Sequence, residues 1–160
     1  LHRVDRRQRQ MCIRDRIRTG RLIAISSLVF CILLILHHFI VLDESTAKSI
    51  LSLAGQKTSD TAVKNILNSD RYTGIMYILA YLAGTVAFWN RHPYLWWFMF
   101  AVYISNALFT LVNLYLFIQG ILDVKNVLAV LPILIVVIGS IILAIYMLVV
   151  SITRKSTFNR

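Results

Sequence analysis

Residues Val127–Thr153 run for 27 positions without a single charged side chain. As a helix rising ~1.5 Å per residue, that run reaches about 40 Å, more than the ~30 Å hydrocarbon core of a bilayer. A span of that length tilts or projects beyond the core. Two more apolar runs, residues 72–90 and 94–120, are hinged on the polar break Asn90-Arg91-His92-Pro93. They read as a helical hairpin with its tight turn at a membrane surface. A fourth run, residues 22–42, has no acid, lysine or arginine over 21 positions, which is also enough to span. Asp43-Glu44 follows it directly, whereas a cleaved leader has a shorter apolar region ending in small residues. The expected fold is all-α: an integral membrane four-helix bundle, spans about 22–42, 72–90, 94–120 and 127–153, forming one domain over residues 17–160.

Composition agrees. The chain is 58% hydrophobic with a mean hydropathy of +0.71, beyond what a soluble domain of ordinary composition carries. The net charge of +10 invites a nucleic-acid reading, but six of the 17 basic residues lie in the first sixteen positions. There, Arg6-Arg7-Gln8-Arg9-Gln10-Met11-Cys12-Ile13-Arg14-Asp15 resembles a translated sequencing-library adapter. Residues 1–16 are therefore expected to be foreign to the protein and are kept out of fold reasoning. Without them the charge falls to +6, from 11 basic and 5 acidic residues, and no nucleic-acid partner is expected. Cys12 falls in the excluded stretch. Cys31 is left alone in an apolar run, where it serves as a small packing residue.

Residues 43–71 form the sizeable hydrophilic stretch. Ala47, Ile50, Leu51 and Ala54 fall at helical spacing, and Val63, Ile66 and Leu67 repeat the pattern. The expectation is two short amphipathic surface helices in the first extracytoplasmic loop. Ser45 or Thr46 would cap the first, Gly55 would close it, and Asp60 would cap the second. Aromatics on either side of the 90–93 turn, Phe88 and Trp89 before it and Tyr94, Trp96 and Trp97 after it, read as an interfacial belt. Basic residues near the helix ends set the orientation. With both termini in the cytoplasm, Arg18, Arg21, Arg91, Arg154, Lys155 and Arg160 lie inside, against five basic residues outside. His92 joins Arg91 as a topology and headgroup contact.

Each span carries small or polar residues at three- and four-residue steps, which places them on one helical face. Ser27 and Cys31 mark the seam of the first, Ala80, Gly84 and Ala87 that of the second, and Gly139 and Ser140 that of the fourth. The third presents Tyr103, Asn106, Thr110 and Asn113 toward the bundle interior. Such residues let backbones approach closely and bond across helices in lipid. One seam could equally form a homo-oligomer contact; Tyr103, Asn106, Thr110 and Asn113 could also line a solute path, although such residues more commonly hold packed helices together.

Candidate chemistry is sparse. His37 and His38, with Asp43 and Glu44 close in sequence, are the candidates for a metal. Adjacent histidines on a regular helix point about 100° apart, so chelating one ion requires irregular backbone. His92 sits at the opposite surface, which disfavours a bis-histidine haem. No acid lies inside a span, and no nucleophile triad, metalloprotease helix or phosphate loop is present. A four-span outline recurs among unrelated small bacterial membrane proteins and carries no function by itself. The expectation is a non-enzymatic membrane protein without a cofactor, embedded in the cytoplasmic membrane, acting through a membrane-protein partner or its own oligomer. The alternative is a channel or transporter subunit using the third-helix polar stripe, and behind it a metal- or haem-dependent membrane enzyme.

Overall fold

A computed structural model describes residues 2–153, with side chains from residue 6 onward. Five α-helices follow one another: α1 (His2–Leu36), α2 (Glu44–Leu53), α3 (Asp60–Gly84), α4 (Pro93–Val124) and α5 (Leu131–Thr153). The described residues contain no strand. Among the described residues, three helical stretches are long and apolar enough to cross a membrane, Arg6–Val41, Pro93–Val124 and Val127–Thr153. α3 is long too, but its first half carries Asp60, Lys64, Asp70 and Arg71 and its apolar half includes three tyrosines. α1 continues unbroken through residues 6–15, whose side chains are exposed, and packing begins at Thr19.

The helix ends follow local chemistry, with corrections to the expected caps. α1 gives way to a π-helical turn, His37–Val41, in which the Leu42 amide donates to the His37 carbonyl at 2.9 Å. Asp43, rather than Ser45 or Thr46, caps α2; its carboxylate accepts from the Thr46 amide and hydroxyl, both at 2.9 Å. The reason is backbone: Asp43 is still extended on leaving the π turn (φ −114°, ψ −178°), the conformation an N-cap needs. Gly55 closes α2 at φ +70°, with its amide bonded to Ser52 and that of Gln56 to Leu51. This paired pattern requires a left-handed residue, which glycine supplies without a Cβ clash. Ser59, one residue before the expected Asp60, caps α3.

The second surface helix does not exist as a separate element. With no proline between residues 60 and 84, it runs straight on into the apolar segment as α3. At its far end α3 tightens into a 3₁₀ turn, Thr85–Phe88, before the polar break. His92 then caps α4 through its Nδ1, and Pro93 takes the first turn, where its missing N–H costs nothing.

Residues of α1, α3, α4 and α5 share one core, including Ile23, Phe30, Tyr81, Trp96, Tyr103 and Met147. A second core lies beneath α2, where Ala47, Ile50 and Leu51 meet Leu67 of α3 and Phe117 of α4. α2 therefore packs its apolar face on protein, which corrects the expectation that this face rests on the membrane. A Cβ on Gly120 of α4 would collide with Ile50, so the two helices approach closely there. On the outside, α5 exposes Ile138, Ile142, Ile145, Val149 and Ile152 at helical spacing, a stripe that suits lipid.

Candidate functional site

The polar stripe of α4 divides in two. Tyr103, Asn106 and Thr110 are buried. Asn106 Nδ2 donates to the Tyr81 hydroxyl at 2.8 Å, and that hydroxyl lies 3.2 Å from the Ser140 hydroxyl. The Tyr103 hydroxyl lies 3.0 Å from that of Ser27. These bonds tie α4 to α3 and α5 through Tyr81, and to α1 through Ser27. Phe30 adds edge-on ring contacts to Tyr81 and Tyr103, with centroids at 5.7 and 6.1 Å. Tyr81 is the hub, and sequence reasoning missed it. The available signal was a tyrosine in mid-run, whose hydroxyl must find a partner once away from water.

Around this network, Ser27, Cys31, Ala87 and Ser140 are buried, while Ala80 and Gly139 are half-buried. A Cβ on Gly84 would stand 2.5 Å from Ser27 Oγ and 2.6 Å from Met99 Cε. One on Gly139 would stand 2.5 Å from the Phe30 ring. A side chain at either glycine would thus require its neighbours to shift.

At the π turn, His37 and His38 are both buried, at 0% and 7% exposure. Their rings meet edge to face at 5.0 Å, and His37 packs against Phe117 at 5.8 Å. His38 lies against Gly74 of α3, where a Cβ would come within 2.5 Å of the ring. Among the described residues, both nitrogens of His37 and Nδ1 of His38 have no hydrogen-bond partner. A buried polar group left unpaired costs on the order of 1–3 kcal/mol. π turns of this kind recur at functional sites.

The acids proposed to join the histidines do not converge on them. The Asp43 carboxylate is occupied by the α2 N-terminus and by Lys125 Nζ at 2.9 Å. Partial burial raises its pKa, but the Thr46 amide and hydroxyl and the Lys125 ammonium outweigh this and hold it below the usual value. Glu44 lines a separate surface cavity with Lys48, Asp60 and Lys64. Among the described residues no three of His, Cys, Asp or Glu gather around one point.

Beside Phe117 lies a half-open cavity of about 320 Å³ bordered by α2 and the turn after it, α3 and α4. Its wall includes Gln56, Asp70, Phe109, Asn113 and Phe117. Asn113 Nδ2 donates to the Phe109 carbonyl at 3.1 Å, which leaves its own carbonyl oxygen for other partners. Burial pushes the Asp70 carboxyl up to about 6. Sequence reasoning counted Asp70 as one neutralised charge of a polar loop; the continuous α3 instead turns it into this cavity.

The opposite end is held differently. Arg91 packs on Gly20 of α1 and donates from Nη2 to the Phe88 carbonyl at 3.2 Å. Trp96, expected in the interfacial belt, is buried instead, and its Nε1 donates to Ser151 of α5 at 3.0 Å. Its indole N–H finds a hydroxyl partner inside the bundle, so the ring turns inward. Trp89 and Trp97 are exposed, as are Arg18 and Arg21, while His92 stacks on Tyr94 at 5.0 Å. Arg154 and Lys155 lie outside the described residues. The chain matches no family model, no curated protein and no solved structure.

Proposed function

We propose that this is a small non-enzymatic membrane protein of four spans, with residues 72–90 of α3 and its 3₁₀ extension as the fourth. It acts through contact with another membrane protein or with a second copy of itself. The observation that carries this reading is the internal use of the span polar groups: Asn106, Tyr81 and Ser140 bond one another, as do Tyr103 and Ser27. Side chains committed in this way are packing contacts rather than the wall of a water-filled path. The fourth span is supported by Tyr81 and Ala87, which belong to the core shared with α1, α4 and α5. Both termini are assigned to the cytoplasmic face of the cell membrane, from the basic residues flanking the spans.

The test is reconstitution of residues 17–160 in planar bilayers, with quantitative purification from native membranes alongside. The expected result is no ion conductance above lipid background, together with a membrane protein or a second copy at fixed stoichiometry. Conductance that disappears in a folded Asn106→Leu variant would overturn the reading in favour of a channel.

A further inference from the structure

We infer that the half-open cavity bordered by α2, α3 and α4 is a binding site for a small organic cation, an alkylammonium or quaternary ammonium group. Four features point to that chemistry. The Asp70 carboxylate lines the cavity and has no hydrogen bond or ion pair among the described residues. A partly buried carboxylate without a cation is electrostatically incomplete. Phe109 and Phe117 stand in the same wall, and aromatic rings attract an ammonium group through their negative faces. Gln56 and the unused carbonyl oxygen of Asn113 provide neutral acceptors. The volume, about 320 Å³, sits at the lower end of the ~300–1,000 Å³ range of ligand cavities.

The same features exclude neighbouring chemistries. Calcium takes about 6–8 oxygen ligands, whereas this wall offers one carboxylate and two amides among aliphatic and aromatic groups. An anion would face Asp70 with no basic side chain lining the cavity. An ammonium group bearing methyl or alkyl substituents satisfies both the charge and the apolar wall. Its source is either a free amine or the ethanolamine or choline headgroup of a phospholipid. Asp70 stands two residues before the apolar run of α3, at the depth where headgroups lie.

Binding should depend on pH through Asp70. Burial holds its carboxyl at about 6, so the site is anionic above that value and neutral below it. From α2 the wall receives Ile50 and Leu51, from the turn that follows it Ala54 and Gln56, and from α4 Phe109, Asn113, Leu116 and Phe117, none of them titratable. On α3 the neighbouring Arg71 forms no ion pair with Asp70, and at the π turn His37 stands behind Phe117 while His38 lies against Gly74.

The experiment is equilibrium dialysis of radiolabelled choline and of ethylammonium against the purified protein in dodecyl maltoside, in amine-free buffer. Saturable binding is expected at pH 7.5, at least tenfold weaker at pH 5 and in Asp70→Asn. Phe117→Leu should weaken choline several-fold more than ethylammonium. Failure of both probes to bind at pH 7.5 would overturn the inference, as would unchanged binding in a monodisperse Asp70→Asn protein. Repeating the measurement in nanodiscs separates the sources. Choline binding blocked in phosphatidylcholine discs but retained in phosphatidylglycerol discs identifies a lipid headgroup, and equal binding in both identifies a free solute.

Discussion

Replacing Asp70 by Asn should stabilise the protein, and by an amount that grows with pH. The Asp70 carboxyl is raised from its ordinary 3.8 to about 6 because burial disfavours its charged form. The folded chain therefore holds this proton more tightly than the unfolded chain. Between those two values the unfolded state has released the proton and the folded state has not, so stability falls as pH rises through the window. Above about 6 the loss is complete. A difference of roughly two pKa units at ~1.36 kcal/mol each gives an upper bound of about 3 kcal/mol. Asp70 is only partly buried, so solvent screening brings the expectation to ~1–3 kcal/mol. Asparagine keeps the shape and removes the ionisation. Thermal unfolding in dodecyl maltoside at pH 4, 5, 6, 7 and 8, in amine-free buffers, reads this directly. The two proteins should melt together near pH 4, and the variant should melt higher by roughly 2–12 °C at pH 7, at ~2–4 °C per kcal/mol for a chain of this size. Asp43 is present in both proteins, so its titration cancels. A difference that stays constant with pH, or a variant less stable at neutral pH, would refute the placement of this carboxyl in the cavity.

Gly84→Ala should destabilise by ~1–2 kcal/mol in SDS titration, because the new methyl meets Ser27 Oγ at 2.5 Å and overpacking outweighs the ~1 kcal/mol alanine gains in a helix. A stabilised variant would show that α1 and α3 are farther apart. Asn106→Leu should cost about 1 kcal/mol, since Tyr81 retains Ser140 as a partner; Tyr81→Phe, which cuts both bonds, should cost more by the same assay. Asp43→Ala should cost about 1 kcal/mol at neutral pH through loss of the α2 cap. Because the Asp43 pKa is lowered, the wild-type advantage should disappear as pH falls below the usual carboxylate range, and faster amide exchange at Thr46 should accompany the substitution.

Much of the framework was legible before any coordinates, because it rests on local quantities. Run length identified residues 94–120 and 127–153, each within a helical stretch able to cross a membrane, and residues 22–42, of which all but Leu42 lie in the remaining stretch; the run 72–90 is not among the three. The break at 90–93 was readable from a proline after polar residues, and the end of α2 from Gly55. The caps slipped by one to three residues, since Asp43, Ser45, Thr46, Ser59 and Asp60 are all competent side chains and only the backbone conformation selects among them.

What the chain alone determined, then, is which runs are apolar enough for a bilayer and where the clear stops at Gly55 and at 90–93 fall; each depends on neighbours within a few turns. Tertiary structure decided the rest. The docking of α2 on α4, the inward turn of Trp96, the π turn that buries His37 beside His38, and the cavity that receives Asp70 all depend on which helical face meets which. Those faces are chosen by contacts between residues as far apart as Ile50 and Gly120 or Tyr81 and Ser140, and such pairings leave no trace in local periodicity.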